Sequence, residues 1–201
     1  MLTHNYVHNI ITSTEDGINR IKIWLGNNPD INSSGSGDTG PVSITRIIDE
    51  LRAIQTVSSL RPVDRVIIYV GAVMTDSIIT GNEIAKNIKV LNSLAPTPQT
   101  QRHIIAAFEW FCGCGPYSSK LSSKFPIILK LLFDNDVVEE DIFYDWSADY
   151  AKNDFSADDS LISIDVLEEL KASAQPFITW LREADEEGDS SEEDDEEEEE
   201  D

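Results

Sequence analysis

Apolar residues recur every three or four positions along most of the chain, which is the spacing of a helix with one buried face. A first helix is predicted to begin after Thr14 as its N-cap and to stop at Gly26. The stretch VSITRIIDELRAIQ predicts a second helix whose apolar face consists of Ile44, Ile47, Ile48, Leu51 and Ile54. The pattern therefore favours a helical protein.

Five more segments after residue 80 keep this spacing and are separated by Gly, Pro or Asn. They are GNEIAKNIKVLNSL, TPQTQRHIIAAFEWFC, SSKFPIILKLLF, DVVEEDIFYDW and LISIDVLEELKASAQPFITWLREADEE. Pro126 suits the first turn of its helix, with Ser122 or Ser123 as N-cap, because no N–H is needed there. RVIIYVGAVM, residues 65–74, suits a buried strand as well as a buried helix. Short links between helices predict antiparallel neighbours, so we expect an all-α stack of helix pairs.

The limits of the helical pattern define the expected domain. Residues 1–187 are predicted to form one helical domain, interrupted at 29–41 by PDINSSGSGDTGP, whose composition predicts a mobile loop. Residues 188–201 are nearly all acidic and predict a disordered tail, because such a run buries no apolar surface. The total of 201 residues, 40% of them hydrophobic, is sufficient for one buried core.

Charge is distributed unevenly along the chain. Residues 1–132 carry 12 Lys or Arg against 10 Asp or Glu, residues 133–182 carry 3 against 13, and residues 183–201 carry 0 against 15. The net charge of −23 therefore lies almost entirely toward the C-terminus. Such a field repels nucleic acid and anionic membranes and attracts basic partners, over a Debye length of about 8 Å in physiological salt. We expect a lysine-rich protein partner and no direct contact with nucleic acid or membrane.

Catalytic and metal-binding motifs are excluded by their context. GSGDTG at residues 35–40 matches G-x-G-x-x-G, but no strand precedes it. His4 and His8 lack the glutamate of H-E-x-x-H, and Cys112 with Cys114 forms neither a C-x-x-C redox pair nor half of a zinc site. We therefore predict a chain that is not an enzyme and holds no metal or cofactor. The chain shows neither a secretory signal nor a long apolar run, and we expect a cytoplasmic protein.

Two segments near the C-terminus combine aromatic and acidic residues. We name LLFDNDVVEEDIFYDW at residues 131–146 the first box and PFITWLREADEE at residues 176–187 the second box. Residues that recur every four positions are expected to face inward on each helix. These are Val138, Ile142 and Trp146 in the first box and Phe177 and Leu181 in the second. Most carboxylates then lie on the outer side.

The acidic residues of the boxes exceed what helix capping requires. Asp136 and Glu139 have the spacing of a capping box, which accounts for two carboxylates. We interpret the remainder as a recognition surface. Trp146 and Trp180 are expected to belong mainly to the core that supports it.

The order of these features resembles the C-terminal domain of eukaryotic translation initiation factor 5. The likeness rests on HIIAAFEWF, on SSKFPIILKLLFDNDVVEEDIFYDW and on PFITWLREADEE, which lie between residues 103 and 187, whereas residues 1–95 carry little that matches motif by motif. The resemblance implies a HEAT-like stack of antiparallel helix pairs, and it favours a helix at residues 65–74.

The resemblance also implies partners and site residues. It implies a monomer that docks lysine-rich segments of the initiation factor 2 beta subunit. The same monomer would also bind initiation factors 1 and 3 and the scaffold factor of the cap complex. The partner-binding residues it assigns are Asp134, Asp136, Glu139, Glu140, Asp141, Asp145 and Trp146 in the first box and Phe177, Trp180, Glu183, Asp185, Glu186 and Glu187 in the second.

The GTPase-activating part of that family contains an arginine finger and a four-cysteine zinc ribbon. Such an arginine must reach the charge that develops on the transferring phosphoryl group. With two cysteines and no such arginine motif, this chain is expected to bind rather than to accelerate hydrolysis, and to be a fragment of a longer protein.

Two further features extend this hypothesis. Lys120, Lys124 and Lys130 would form a second, basic docking face if they cluster. Ser190 and Ser191 each have an acid three residues later, the pattern that acid-directed kinases favour. Phosphorylation would add about −1.5 to −2 charge at each serine and tighten the capture of lysine-rich partners.

Two other functions remain open at this stage. A similar domain ends the epsilon subunit of initiation factor 2B, which makes guanine-nucleotide exchange an alternative function. An acidic protein resembling a histone chaperone is a third possibility, and it predicts no preference among basic polymers.

Overall fold

The computed structural model describes residues 2–29 and 41–189, and in these ranges it contains helices and turns but no strand. The predicted all-α fold is confirmed, and the ambiguous segment RVIIYVGAV is helical. The predicted mobile loop lies outside the described residues from position 30 to position 40. The predicted tail lies outside them from position 190 onward.

The N-terminal half consists of long helices arranged around a central one. α1 spans Leu2–Asn27, α2 spans Pro41–Val57, α3 spans Pro62–Val73 and α4 spans Glu83–Leu94. α3 packs against α1 and α2, and α2 also packs against α4. The predicted face of α2 is confirmed, since it points into the core with Ile44 only partly covered. The predicted N-cap at Thr14 is wrong, because α1 begins twelve residues earlier and Thr14 is buried within it.

α1 and α3 approach each other closely at two glycines. A Cβ atom added to Gly17 would lie 2.6 Å from Cδ1 of Ile68, and one added to Gly71 would lie 2.7 Å from Cδ1 of Ile18. The absence of side chains at both positions lets the backbones come together, which larger residues would prevent.

The C-terminal half is arranged around α5. Its elements are α5 (Pro98–Gly113), α6 (Ser118–Leu121), a 3-10 turn (Ser122–Lys124), α7 (Phe125–Asp134), α8 (Glu140–Ala148), α9 (Ile164–Ser173) and α10 (Gln175–Asp189). α5 packs against α3 and also against α7, α8 and α9. It therefore joins the two halves and supports α7 and α8, which carry the first box.

Two helix boundaries differ from the prediction. The last predicted helix is divided into α9 and α10 at Ala174, because Pro176 lacks the N–H that a continuous helix would use. Pro126 lies in the first turn of α7 as predicted. However, the N-cap of α7 is Lys124 rather than Ser122 or Ser123, because both serines belong to the preceding 3-10 turn.

Candidate protein-docking surface

An aromatic cluster joins the two boxes. Phe143 of α8 and Phe177 of α10 meet edge to face with ring centroids 5.1 Å apart. Phe133 of α7 lies 6.4 Å from Phe143 and 6.0 Å from Trp180, and Phe177 stacks on Trp180 at 6.1 Å. These four residues are the aromatic cluster. Because they come from α7, α8 and α10, both boxes form one continuous region of the molecule.

The inward positions of both boxes are confirmed. Val138, Ile142, Trp146, Phe177 and Leu181 are all buried. Burying a large apolar side chain contributes about 1.5 to 3 kcal/mol each, so these residues supply much of the free energy that holds α8 and α10 in place. The helices that present the carboxylates are thus fixed by their own inner faces.

Trp180 departs from the prediction of a core position. Its side chain is 38% exposed, whereas that of Trp146 is 4% exposed. The difference arises because Trp180 lies at the solvent edge of the aromatic cluster, against Phe133 and Phe177. The expectation that Trp180 is mainly core is therefore wrong, and its indole is accessible to a partner.

The outer carboxylates divide into solvated and internally paired groups. Asp141 and Asp145 of α8 and Glu183 of α10 are exposed, as expected. Lys130 donates to Asp134 at 2.7 Å, and the hydroxyl of Tyr144 donates to the carboxylate of Glu140. The side chains of Asp185, Glu186 and Glu187 lie outside the described part of the structure, and so do Ser190 and Ser191.

The start of α8 is held by a glutamine and not by the predicted capping box. Asp136 is exposed in a left-handed turn with φ of 53°, and the N-cap of α8 is Glu139. Gln101 of α5 donates to the Glu139 carboxylate at 2.9 Å and accepts from the Glu139 N–H at 2.8 Å. The predicted capping box is wrong, because this two-way contact replaces it and fastens the first box to α5.

The end of α8 is held by cations from two other helices. Arg102 of α5 is 6% exposed and donates to the carboxylate of Asp149 at 2.8 Å. Lys171 of α9 donates to the backbone carbonyl of Asp149. Its ammonium also lies 5.5 Å from the ring centroid of Trp146. These contacts orient the C-terminal end of the first box.

A buried acid completes the support of the first box. The indole N–H of Trp146 donates to Oε1 of Glu109 at 2.9 Å. Burial raises the pKa of Glu109 to about 7, although the indole hydrogen bond and the charges of Lys171 and Arg102 lower it. Our sequence analysis missed Glu109, Gln101 and Arg102. A signal for Glu109 was present, since it is the only acid in the otherwise apolar run IIAAFEWFC.

Two of the three lysines of the predicted basic face pair with acids in different parts of the molecule. Lys120 forms an ion pair with Asp76 in the link between α3 and α4, and this contact lowers the pKa of Asp76. Lys124 is the N-cap residue of α7. Lys130 contacts Asp134 and Trp180. At least Lys130 therefore belongs to the aromatic and acidic region rather than to a separate basic face.

The described residues contain no group of His, Cys, Asp or Glu arranged to hold a metal ion. The side chains of His4 and His8 lie outside the described part. Burial raises the pKa of Cys112 to about 12, which makes it a poor nucleophile, and Cys114 is exposed. Among the described residues, no helix has the length and apolar character that crossing a membrane requires.

Comparison with known proteins shows what this region is similar to. Residues 100–191 match the W2 family, described as eIF4-gamma/eIF5/eIF2-epsilon. Eukaryotic translation initiation factor 5 of Mus musculus is 33% identical over 88 residues, which is 44% of this chain and 18% of that protein. The factor 5 of Zea mays is 34% identical over 110 residues, or 53% of this chain and 21% of that protein. The resemblance to the C-terminal domain of initiation factor 5 is confirmed.

A solved structure extends the likeness beyond the W2 match. The structure titled "The C-terminal Domain of Translation Initiation Factor 5 at low pH" aligns with a TM-score of 0.59 at 22% identity, covering 88% of this chain and 96% of that one. The alignment supports a HEAT-like helical fold for most of the chain, including much of the half that precedes the W2 match. The chain spans about a fifth of the length of the curated factor 5 relatives.

Proposed function

We propose that this chain is a docking scaffold of translation initiation that binds lysine-rich segments of other initiation factors. The observation that carries the proposal is the aromatic cluster, which unites two acidic boxes on helices fixed from within. A lysine-rich segment can therefore meet carboxylates of both boxes at once. The names of the curated relatives, all initiation factors, support the same role.

The partners we propose come from the resemblance to factor 5. They are a lysine-rich segment of the initiation factor 2 beta subunit, initiation factors 1 and 3, and the scaffold factor of the cap complex. We propose a cytoplasmic monomer that assembles these partners by binding and carries out no catalysis itself. The GTPase-activating part of the family would lie outside this chain.

The physical basis of docking is many weak contacts on a prepared surface. An exposed ion pair contributes only about 0 to 1 kcal/mol, so affinity requires several lysines and several carboxylates together. Fixed charges also accelerate encounter, and salt weakens them. Within this proposal Trp146 and Phe177 are buried supports, and the contact residues are Asp134, Asp136, Glu139, Glu140, Asp141, Asp145, Trp180, Glu183, Asp185, Glu186 and Glu187.

The proposal is tested by calorimetric titration of the chain with a lysine-rich peptide of the initiation factor 2 beta subunit at two salt concentrations. The box variant carries Asp141→Asn, Asp145→Asn and Glu183→Gln, all of which are exposed positions. The matched control carries Asp154→Asn, Glu168→Gln and Glu169→Gln, which are exposed acids outside the boxes. Both variants change the net charge equally, so only the position of the lost charge differs.

We expect binding that salt weakens, and an affinity that falls about tenfold or more in the box variant and by less than about threefold in the control. Equal losses in the two variants would contradict docking at the boxes and indicate a response to overall charge alone.

In the same titration, phosphorylation at Ser190 and Ser191 is expected to tighten binding. Unchanged affinity after phosphorylation would remove these serines from the proposal.

A further inference from the structure

The exposed tryptophan of the second box already contacts an ammonium group of its own chain. The Nζ atom of Lys130 lies 4.2 Å from the ring centroid of Trp180 and 2.7 Å from Oδ1 of Asp134. An aromatic face beside a carboxylate is the combination that binds an ammonium ion, because the ring quadrupole and the negative charge attract it together. The arrangement thus indicates that this part of the surface favours an ammonium group as its ligand.

We propose that Trp180 and Asp134 form a lysine seat that Lys130 occupies in the unbound chain and that a lysine of the partner takes over on binding. The inference rests on the proposed docking of lysine-rich segments and assigns one recognition point within it. Phe133 and Phe177 hold the indole of Trp180 in place, at 6.0 Å and 6.1 Å between centroids. The ring of the seat is therefore already in place, and only the Lys130 side chain must move when a partner lysine binds.

The exposure of the three residues permits the exchange. Trp180 is 38% exposed, and the side chains of Lys130 and Asp134 are 45% and 41% exposed. Lys130 precedes Asp134 by one helical turn on α7, so its flexible side chain can swing into water while the helix stays in place. Its release leaves no buried charge behind.

A second pair of a lysine and a tryptophan provides an internal contrast. Lys171 lies over Trp146 at 5.5 Å, but Trp146 is 4% exposed and Lys171 also donates to the carbonyl of Asp149. A partner lysine has no access to that ring. The same chemical pairing is thus a fixed support under the first box and an exchangeable seat at the second.

Occupation by Lys130 means that the chain competes with its partner for the seat. Removing Lys130 should therefore strengthen binding by more than the loss of one positive charge explains. Lys124→Ala is the matched control, because Lys124 is an exposed lysine at the N-cap of the helix that contains Lys130, and its side chain makes no capping hydrogen bond. Both variants lose one charge, whereas only Lys130→Ala empties the seat.

The test is calorimetric titration of the whole chain and both variants with an oligolysine peptide at fixed salt, with thermal melting to verify folding. We expect Lys130→Ala to bind about three- to fivefold more tightly than Lys124→Ala, as one cation–π contact warrants. Lys130→Gln, which keeps a longer side chain, replaces Lys130→Ala if that variant melts early. An affinity of Lys130→Ala equal to or below that of Lys124→Ala would overturn the seat.

A second experiment tests whether the stronger binding of Lys130→Ala depends on Trp180. With Trp180→Leu added to both variants, the difference between them should vanish, and a difference that persists would also overturn the seat. If the unmodified chain does not bind oligolysine, both the docking function and the seat are rejected. If it binds, and Lys130→Ala behaves like Lys124→Ala, only the seat is rejected.

Discussion

The two boxes share a combination of aromatic and acidic residues but have different surroundings. Each box places a tryptophan among carboxylates, yet Trp146 is 4% exposed and Trp180 is 38% exposed. The first box is anchored to α5, because Gln101 holds the start of α8, Arg102 holds its end, and Glu109 accepts a hydrogen bond from the indole of Trp146. The second box is held by aromatic contacts, and its tryptophan meets a lysine at the surface.

The contrast teaches that the combination of aromatic and acidic residues serves two purposes in one surface. In the first box the tryptophan belongs to the scaffold, and only the carboxylates face outward. In the second box the tryptophan is also available for contact. Under the proposed docking function, both boxes offer charge to a partner, and the second box also offers an exposed aromatic face.

Replacing the two tryptophans should give the largest effect and the clearest separation. Trp146→Ala is expected to lower the free energy of unfolding by about 3 to 5 kcal/mol, because it leaves a cavity and removes the indole N–H that donates to Glu109. The corresponding fall in Tm is about 6 to 20 °C for a chain of this size. Trp180→Ala should cost under about 2 kcal/mol, since much of its surface is already in water. Thermal melting followed by circular dichroism measures both.

The binding of the two variants completes this comparison. Trp180→Ala should weaken the binding of a lysine-rich peptide at a temperature where the variant is fully folded. If Trp180→Ala lowers the Tm as much as Trp146→Ala does, the distinction between a buried support and an exposed contact is lost.

The buried acid of the first box should make stability depend on pH. Glu109 ionises near 4.5 in the unfolded chain and near 7 in the folded chain, so the folded state retains a proton that the unfolded state has lost. Its contribution to stability is therefore full below about pH 4.5 and is lost as pH rises through 7. Glu109→Gln keeps the acceptor for Trp146 without the charge. It should raise the Tm at pH 8 by about 4 °C or more and change it little at pH 5.

Melting of Glu109→Gln and the unmodified chain between pH 5 and pH 8 measures this difference. The control is Glu168→Gln, which removes an exposed acid from α9 and should leave the pH profile unchanged. A Glu109→Gln variant that is less stable than the unmodified chain at pH 8 would show that Lys171 and Arg102 require an ionised partner at this position.

The helical fold could be predicted from the sequence because apolar periodicity reports burial directly. The face of α2 and the inner positions of both boxes follow from spacing alone. Helix ends were less predictable: Thr14 matched a cap locally but lies inside α1, and Asp136 matched a capping box but lies in a left-handed turn. Local signals fail at such positions because contacts distant in sequence, such as Gln101 with Glu139, decide the outcome.

The candidate site was predictable as a region but not in its details. The charge pattern located the acidic surface, and helical spacing indicated which box residues face inward. It could not show that Trp180 lies at the edge of the aromatic cluster, since exposure there depends on where α10 crosses α7. Nor could spacing show that Lys130 would contact Trp180 from another helix.

The most direct test of the central claim follows the indole N–H resonances by NMR while a lysine-rich peptide is added. Trp→Phe variants at residues 24, 110, 146 and 180 assign the four signals. We predict that the Trp180 signal moves in proportion to binding and that the Trp146 signal, held by Glu109, stays in place. A Trp146 signal that moves while that of Trp180 is stationary would contradict the account, because the buried support would then be the contact.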